Sequence, residues 1–216
     1  MRFVKLMRSK IPILIGVVGG SGAGKSWLAD KLQQAIGPQA GRLSLDDFYL
    51  DRSHLAPARR NRINFDHPRA VDWVAFERVL RALRKGKSAK VPCYDFSAHC
   101  CARQTKMIRA SPLIIIDGLW LFRSLRIRKL FNLKVFVECS ARVRLRRRMK
   151  RDTAVRGRAS ASVSRQFWKT VEPMHLRFVA GQARRADVLI TEACSEKEID
   201  ALTERVKGMF RERGET

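Results

Sequence analysis

Gly19, Gly20, Ser21, Gly22, Ala23, Gly24, Lys25 and Ser26 fill every position of the spacing G-x-x-x-x-G-K-[ST]. That spacing serves phosphate binding. Glycines let backbone N–H groups turn inward around oxyanions, and a helix N-terminus behind them adds a favourable dipole. Lys25 has the reach for β- and γ-phosphates, and the Ser26 hydroxyl can ligate Mg²⁺. A chance glycine-rich turn is the competing reading. An apolar run at 13–18 on one side and a helical pattern on the other speak against it. Two further acidic positions belong to the same chemistry. Asp46 and Asp47 end a short strand, where one carboxylate could take a proton from a hydroxyl or hold a metal's water. Their alternative is a pair of loop acids capping the next turn. Asp117 ends the apolar run 113–116, the pattern of a buried parallel strand delivering a carboxylate toward Mg²⁺.

The elements that must position these residues are legible as alternating strands and helices, an α/β doubly wound sheet. Strands are expected at 13–18, 42–45, 113–116, 134–137 and 187–190. Leu28, Leu32 and Ile36 form one helical face, stopped by Gly37 and Pro38. Residues 50–71 carry no periodicity and read as a long loop. Asp72 caps a helix with Phe76, Val79, Leu80 and Leu83 on its apolar face, and Gly86 closes it. The stretch 91–99 reads as extended, leading into a hairpin around 104–108, with Pro92 at an edge. Tyr94 and His99 there could stack on or hydrogen-bond a base or sugar, or could be a packed tyrosine and a surface histidine.

Nine Lys or Arg lie between 142 and 158, against Asp152 alone. Arg142, Arg144 and Arg146 read as a solvated helix face. Arg151, Arg156 and Arg158 flank Gly157, where the helical pattern breaks, and suit a mobile lid with forks for phosphate oxygens. A helix at 162–182 is expected to kink at Pro173, and a last helix carries Ile199, Leu202, Val206, Met209 and Phe210 on one face.

The chain has 216 residues, 45% of them hydrophobic, which suits one domain with one substantial core. No apolar run approaches the ~20 residues of a membrane span. Residues 1–11 read as a basic tail rather than a signal peptide, since a cut near Ala23 would destroy the glycine loop. Five cysteines without framework spacing suit a reducing, cytoplasmic setting. Cys93, His99, Cys100 and Cys101 contain no C-x-x-C, which argues against zinc. The net charge of +25 leaves nonspecific polyanion binding open, including a basic nucleic-acid-binding role.

Taken together, these residues resemble the uridine–cytidine kinases, within the phosphoribulokinase-like P-loop kinases. The similarity runs from about 13 to 191. It rests on Gly-Gly-Ser-Gly-Ala-Gly-Lys-Ser at 19–26, Leu-Asp-Asp-Phe-Tyr at 45–49, Asn-Phe-Asp-His-Pro at 64–68 and Val-Pro-Cys-Tyr-Asp-Phe at 91–96. Arg-Asp at 151–152, Arg-Gly-Arg at 156–158 and Thr-Val-Glu-Pro-Met-His at 170–175 complete it. The resemblance implies a five-stranded parallel sheet with helices on both faces, a substrate hairpin at about 90–110 and an arginine-rich lid at about 148–165. It implies ATP- or GTP-dependent phosphorylation of the 5′-hydroxyl of uridine or cytidine in pyrimidine salvage, with Mg²⁺, by a homo-oligomer. A sister kinase acting on another nucleoside or a sugar-type acceptor is the close alternative. By the same resemblance, Asp46, Lys25 and Arg151 are catalytic, and Ser26, Asp46 and Asp117 form the metal side. Asp66 grips the ribose 2′- and 3′-hydroxyls, Tyr94 and His99 contact the pyrimidine, and Arg148, Arg156, Arg158 and Gln166 are lid and substrate positions. The family more often has Glu at the position of Asp117.

Overall fold

The computed structural model describes residues 11–60, 62–191 and 194–214, without the side chains of 156, 213 and 214. The expected basic tail therefore lies, but for Ile11, outside the described residues.

An apolar, β-branched run folds as a strand buried on both faces, and the first such strand, β1 (Ile13–Gly19), is buried at all seven positions. The helix α1 (Lys25–Ile36) follows directly from the glycine loop. Next come β2 (Ala40–Ser44), a 3₁₀ turn (Leu45–Phe48), the single-turn α2 (Pro57–Arg60), a 3₁₀ turn (Pro68–Ala70) and α3 (Trp73–Arg84). Asp72 caps α3 as expected, accepting from Ala75 N at 2.9 Å. A separate antiparallel hairpin, β3 (Ala89–Asp95) and β4 (Cys100–Ile108), precedes β5 (Leu113–Gly118). The chain continues through α4 (Leu125–Arg128), β6 (Leu133–Val137), α5 (Ala141–Arg156) and α6 (Ser160–Gln166). It ends through a π-helical turn (Phe167–Val171), α7 (Glu172–Phe178), a 3₁₀ segment (Ala180–Arg185), β7 (Val188–Ile190) and α8 (Glu196–Gly214).

The main sheet has five parallel strands in the order β2-β5-β1-β6-β7. Because side chains alternate along each strand, it feeds two cores. Leu14, Val18, Ile114, Ile116 and Phe136 face α3 and the 119–131 segment. Ile13, Ile15, Val17, Ile115 and Val135 face α1 and α8, meeting Leu28, Leu32, Leu202 and Val206. Every strand's C-terminal end points to one edge of the sheet, and the glycine loop, the 3₁₀ turn after β2 and Asp117 all sit there.

Three segments differ from expectation. The 50–71 stretch, read as an unpatterned loop, carries two short helical turns and is pinned at its base: Tyr49 bridges Val71, and Leu50 N donates to Ala70 O at 2.8 Å. The return strand of the hairpin starts at Cys100, not near 104. Asp95 Oδ1 accepts from Ser97 N at 2.7 Å, and His99 takes a left-handed φ of 53°, so the chain reverses within four residues. The helix expected at 162–182 is broken into pieces. Pro173 cannot donate to the carbonyl a turn behind it, and the π-helical turn just upstream absorbs the missing bond.

Candidate active site

The glycine loop is shaped by what packs behind it. Gly22 and Gly24 hold φ of +83° and +103°, where an L side chain is strained. A Cβ on Gly22 would also collide with the Arg144 carbonyl oxygen. Arg144 corrects an expectation. Arg142 and Arg146 are solvated as read, but Arg144 is 2% exposed. Its Nε donates to Cys139 O at 3.0 Å, its guanidinium pairs with Glu172, and it lies over the Phe167 ring. Charge density along a helix says nothing of a partner 28 residues away. His175 closes the same corner, its Nδ1 lying 2.8 Å from where a Gly20 Cβ would sit. Burial and Arg144 push the His175 imidazole down to about 4, so it stays neutral near pH 7.

In front of the loop, Lys25 is 8% exposed at the first position of α1. Ser26 Oγ donates to Asp117 Oδ2 at 2.7 Å, and Arg42 Nη1 donates to Asp117 Oδ1 at 3.1 Å. Arg42 had no signal of its own beyond its strand. The two acids after β2 part company. Asp47 turns to the hairpin and pairs with Lys106 at 2.6 Å. Asp46 turns to the loop, and its Oδ1 is buried with no hydrogen-bond partner. Burial pushes the Asp46 carboxyl up, with the Lys25 charge opposing and Asp117 adding to the rise.

A cleft of about 450 Å³ opens on this side, lined by Ser21, Lys25, Asp46, Asp66, Tyr94, His99, Arg148, Arg151, Arg158 and Gln166. Asp66 sits in a turn where Asn64 Oδ1 accepts from its N–H at 3.0 Å. Burial raises its carboxyl too, against the pull of Arg148. One wall is aromatic. His99 stacks on Phe65 with centroids 4.6 Å apart and planes 11° apart, while Tyr94 is 5.2 Å from Tyr49 and 5.2 Å from Phe96. The Tyr94 hydroxyl is buried without a hydrogen-bond partner, and Tyr94 lines the cleft. Phe65, Phe96 and Tyr49 were not foreseen as lining, although each adjoins or lies within a motif residue run. The opposite wall is the lid. Arg148 Nη1 donates to Ser21 Oγ at 2.7 Å, and Arg148 Nη2 and Arg158 Nη1 both donate to Gln166 Oε1, at 3.1 and 2.7 Å. Arg156 ends α5, but its side chain lies outside the described residues.

Behind the loop lies a second cleft, of about 480 Å³, lined by Ala23, Gly24, Trp27, Arg147, Ile190, Thr191 and Cys194. Trp27 is 48% exposed there, and Arg147 Nη1 donates to Ala23 O at 2.9 Å. The loop thus separates two clefts, one polar and arginine-lined, the other walled by an indole and a guanidinium. Among the described residues no helix is long and apolar enough to cross a membrane.

The phosphate-site donors suit a hard cation. Mg²⁺ sites typically use one or two carboxylates with substrate phosphates rather than an all-protein cage. A serine hydroxyl beside Asp117, with the partnerless Asp46 Oδ1 nearby, fits that pattern. Among the described residues no three His, Cys, Asp or Glu side chains gather as a metal cluster.

The model for the phosphoribulokinase/uridine kinase family matches residues 14–199. A uridine kinase of Lactobacillus johnsonii is 36% identical over 207 residues, 94% of this chain and 98% of that one. A uridine kinase of Brevibacillus brevis is 41% identical over 184 residues, 84% of this chain and 85% of that one. Among solved structures, phosphoribulokinase from Rhodobacter spheroides superimposes with a TM-score of 0.63 at 19% identity, covering 85% of this chain and 71% of that one. That last likeness speaks to the fold.

Proposed function

Since the chain belongs to the phosphoribulokinase/uridine kinase family, we propose that it transfers the γ-phosphoryl group of ATP or GTP to the 5′-hydroxyl of uridine or cytidine. The observation that carries this reading is the shared cleft. Lys25, the partnerless Asp46 Oδ1, Asp66 and the Tyr94–His99 wall face one space, so a nucleoside and a phosphate chain can meet there.

Phosphoryl transfer depends on in-line positioning and neutralised charge more than on covalent help. In this reading the donor base occupies the Trp27–Arg147 cleft, and its phosphates run through the loop to Lys25. The acceptor ribose sits on Asp66, with its pyrimidine against Tyr94 and His99 from the hairpin. Asp46 accepts the 5′-hydroxyl proton as the new O–P bond forms and the β,γ-bridging P–O bond breaks. Lys25, Arg151 and Arg158 stand where charge develops on the transferred group. Ser26, Asp117 and Asp46 would hold Mg²⁺, which when bound screens the phosphate charge.

A panel of nucleosides and sugar phosphates, each with Mg²⁺ and ATP or GTP, tests the proposal. Turnover of uridine or cytidine supports it, and turnover confined to another acceptor sinks it. Asp66 makes the panel sharper. A buried carboxylate that binds vicinal hydroxyls is left partly unpaired by a 2′-deoxy sugar. Asp66→Asn should therefore lower kcat/KM for uridine about 100-fold while changing that for 2′-deoxyuridine far less. Equal losses on both sugars would remove the ribose from Asp66. On the donor side, base stacking on an aromatic ring is worth about 1–3 kcal/mol, so Trp27→Ala should raise the donor KM about tenfold at unchanged kcat. An unchanged donor KM would move the base out of that cleft.

A further inference from the structure

We propose that Asp152 is the positioning residue of the lid, a single buried carboxylate that aims Arg148, Arg151 and Arg158 at the transferred phosphoryl group. The inference rests on the phosphoryl-transfer reading above. Asp152 is fully buried in the last turn of α5, yet it stands among cations. Its Oδ1 receives both Nε and Nη2 of Arg151 at 2.8 Å. Its Oδ2 lies 3.5 Å from Arg148 Nε and 3.5 Å from Arg158 Nη1.

The main chain is arranged to the same end. After Gly157 turns left-handed at φ 61°, the N–H groups of Gly157 and Arg158 both return to the Asp152 carbonyl, the latter at 3.1 Å. That turn folds Arg158 back beside the carboxylate it would otherwise leave behind. A pair needed only to close a helix would require one cation. Among the described side chains three converge here, and two of them also reach outward, Arg148 to the loop hydroxyl of Ser21 and both Arg148 and Arg158 to Gln166.

The contacts are graded in a way that suits handover. Arg151 is forked onto one oxygen, but its side chain keeps 41% of its surface open. A guanidinium has five N–H donors, so the fork leaves three for an incoming phosphoryl oxygen. Three guanidiniums on one carboxylate keep net positive charge facing the cleft. Without Asp152 the three cations would repel one another and lose their common orientation.

The test compares binding of ADP with Mg²⁺ to binding of ADP with Mg²⁺ and aluminium fluoride, the latter standing in for the transferred group, with and without nucleoside. In the unmodified protein the fluoride should tighten ADP. Asp152→Asn should keep ADP affinity within about threefold and lose about 100-fold of that gain, the scale of a mispositioned charge-stabilising donor. A purely structural role would weaken ADP and its fluoride complex alike. Should Asp152→Asn fail to fold, Asp152→Glu carries the test: it keeps the charge, displaces it by one methylene, and should lose about tenfold of the gain. A folded Asp152→Asn, or failing that an Asp152→Glu, with the full fluoride gain would overturn the proposal. So would an unmodified protein that gains nothing from fluoride. If no pyrimidine nucleoside is turned over, the acceptor reading fails while the nucleoside-free arm still reads Asp152.

Discussion

Asp46→Asn should fold, melt a few degrees higher than the unmodified protein, and turn nucleoside over about 1,000-fold more slowly, within the range for a lost general base. Both effects come from one feature. The Asp46 Oδ1 is buried without a hydrogen-bond partner, and burial holds its carboxyl above the usual range. A carboxyl whose folded value is raised stabilises the native state only while it is protonated. The penalty for its ionised form is therefore present at neutral pH and fades as pH falls toward the ordinary 3.8. Asparagine keeps the shape and never ionises, so the gain in Tm should be largest near pH 8 and shrink as the pH is lowered. About 2–4 °C per kcal/mol is the scale for a chain of this size. In the proposed mechanism the same substitution removes the atom that would accept the 5′-hydroxyl proton. A folded Asp46→Asn variant with a near-normal rate would take the general base out of the mechanism. One that is slow but melts lower would mean that the carboxylate is held by partners after all.

Features carried by neighbours in sequence were the legible ones. The glycine loop, the strand before it and the helix after it are written within 24 residues, and the alternation of buried strands with amphipathic helices yields the parallel sheet. The resemblance singles out Asp46 over Asp47, and in the structure the two are separated by Lys106, which reaches Asp47 from the hairpin. Arg144 looked like one more solvated arginine because its carboxylate, Glu172, belongs to another helix. The 50–71 stretch looked irregular because its order comes from pinning Tyr49 to Val71 across the loop, not from a repeat. Spacing leaves Tyr94 and His99 open between packing and ligand contact, and only the resemblance draws them to a substrate. Their common wall with Phe65 depends on the hairpin folding over the 50–71 loop, which no local pattern encodes. In the sequence Asp152 is simply the one acid in a basic tract, whereas its burial makes it the organising feature of the lid.

Lys25→Ala should reduce kcat/KM by about 100- to 1,000-fold, the scale of one lost charge-stabilising donor, and should also move the pH profile. The second effect follows from the neighbours of Lys25. Its charge is the first influence opposing burial at Asp46, and it also lowers the carboxyl of Asp66. Removing the cation disfavours both ionised carboxylates, so each holds its proton to a higher pH. Since Asp46 must be ionised to accept the hydroxyl proton, the acid limb of the residual kcat/KM profile should shift upward in pH. A loss of rate with an unmoved acid limb would separate the two groups and assign Lys25 to the donor phosphates alone. A shift toward lower pH would contradict the placement of Asp46 beside Lys25, because no removal of a nearby positive charge makes a carboxylate easier to ionise. Circular dichroism in the absence of nucleotide should stay close to that of the unmodified protein, while Tm at neutral pH should fall somewhat, because ionised Asp46 and Asp66 lose a neutralising charge. The substitution removes a buried ammonium that faces the cleft, while the turns at Gly22 and Gly24 and the Arg144–Glu172 pair behind the loop remain in place.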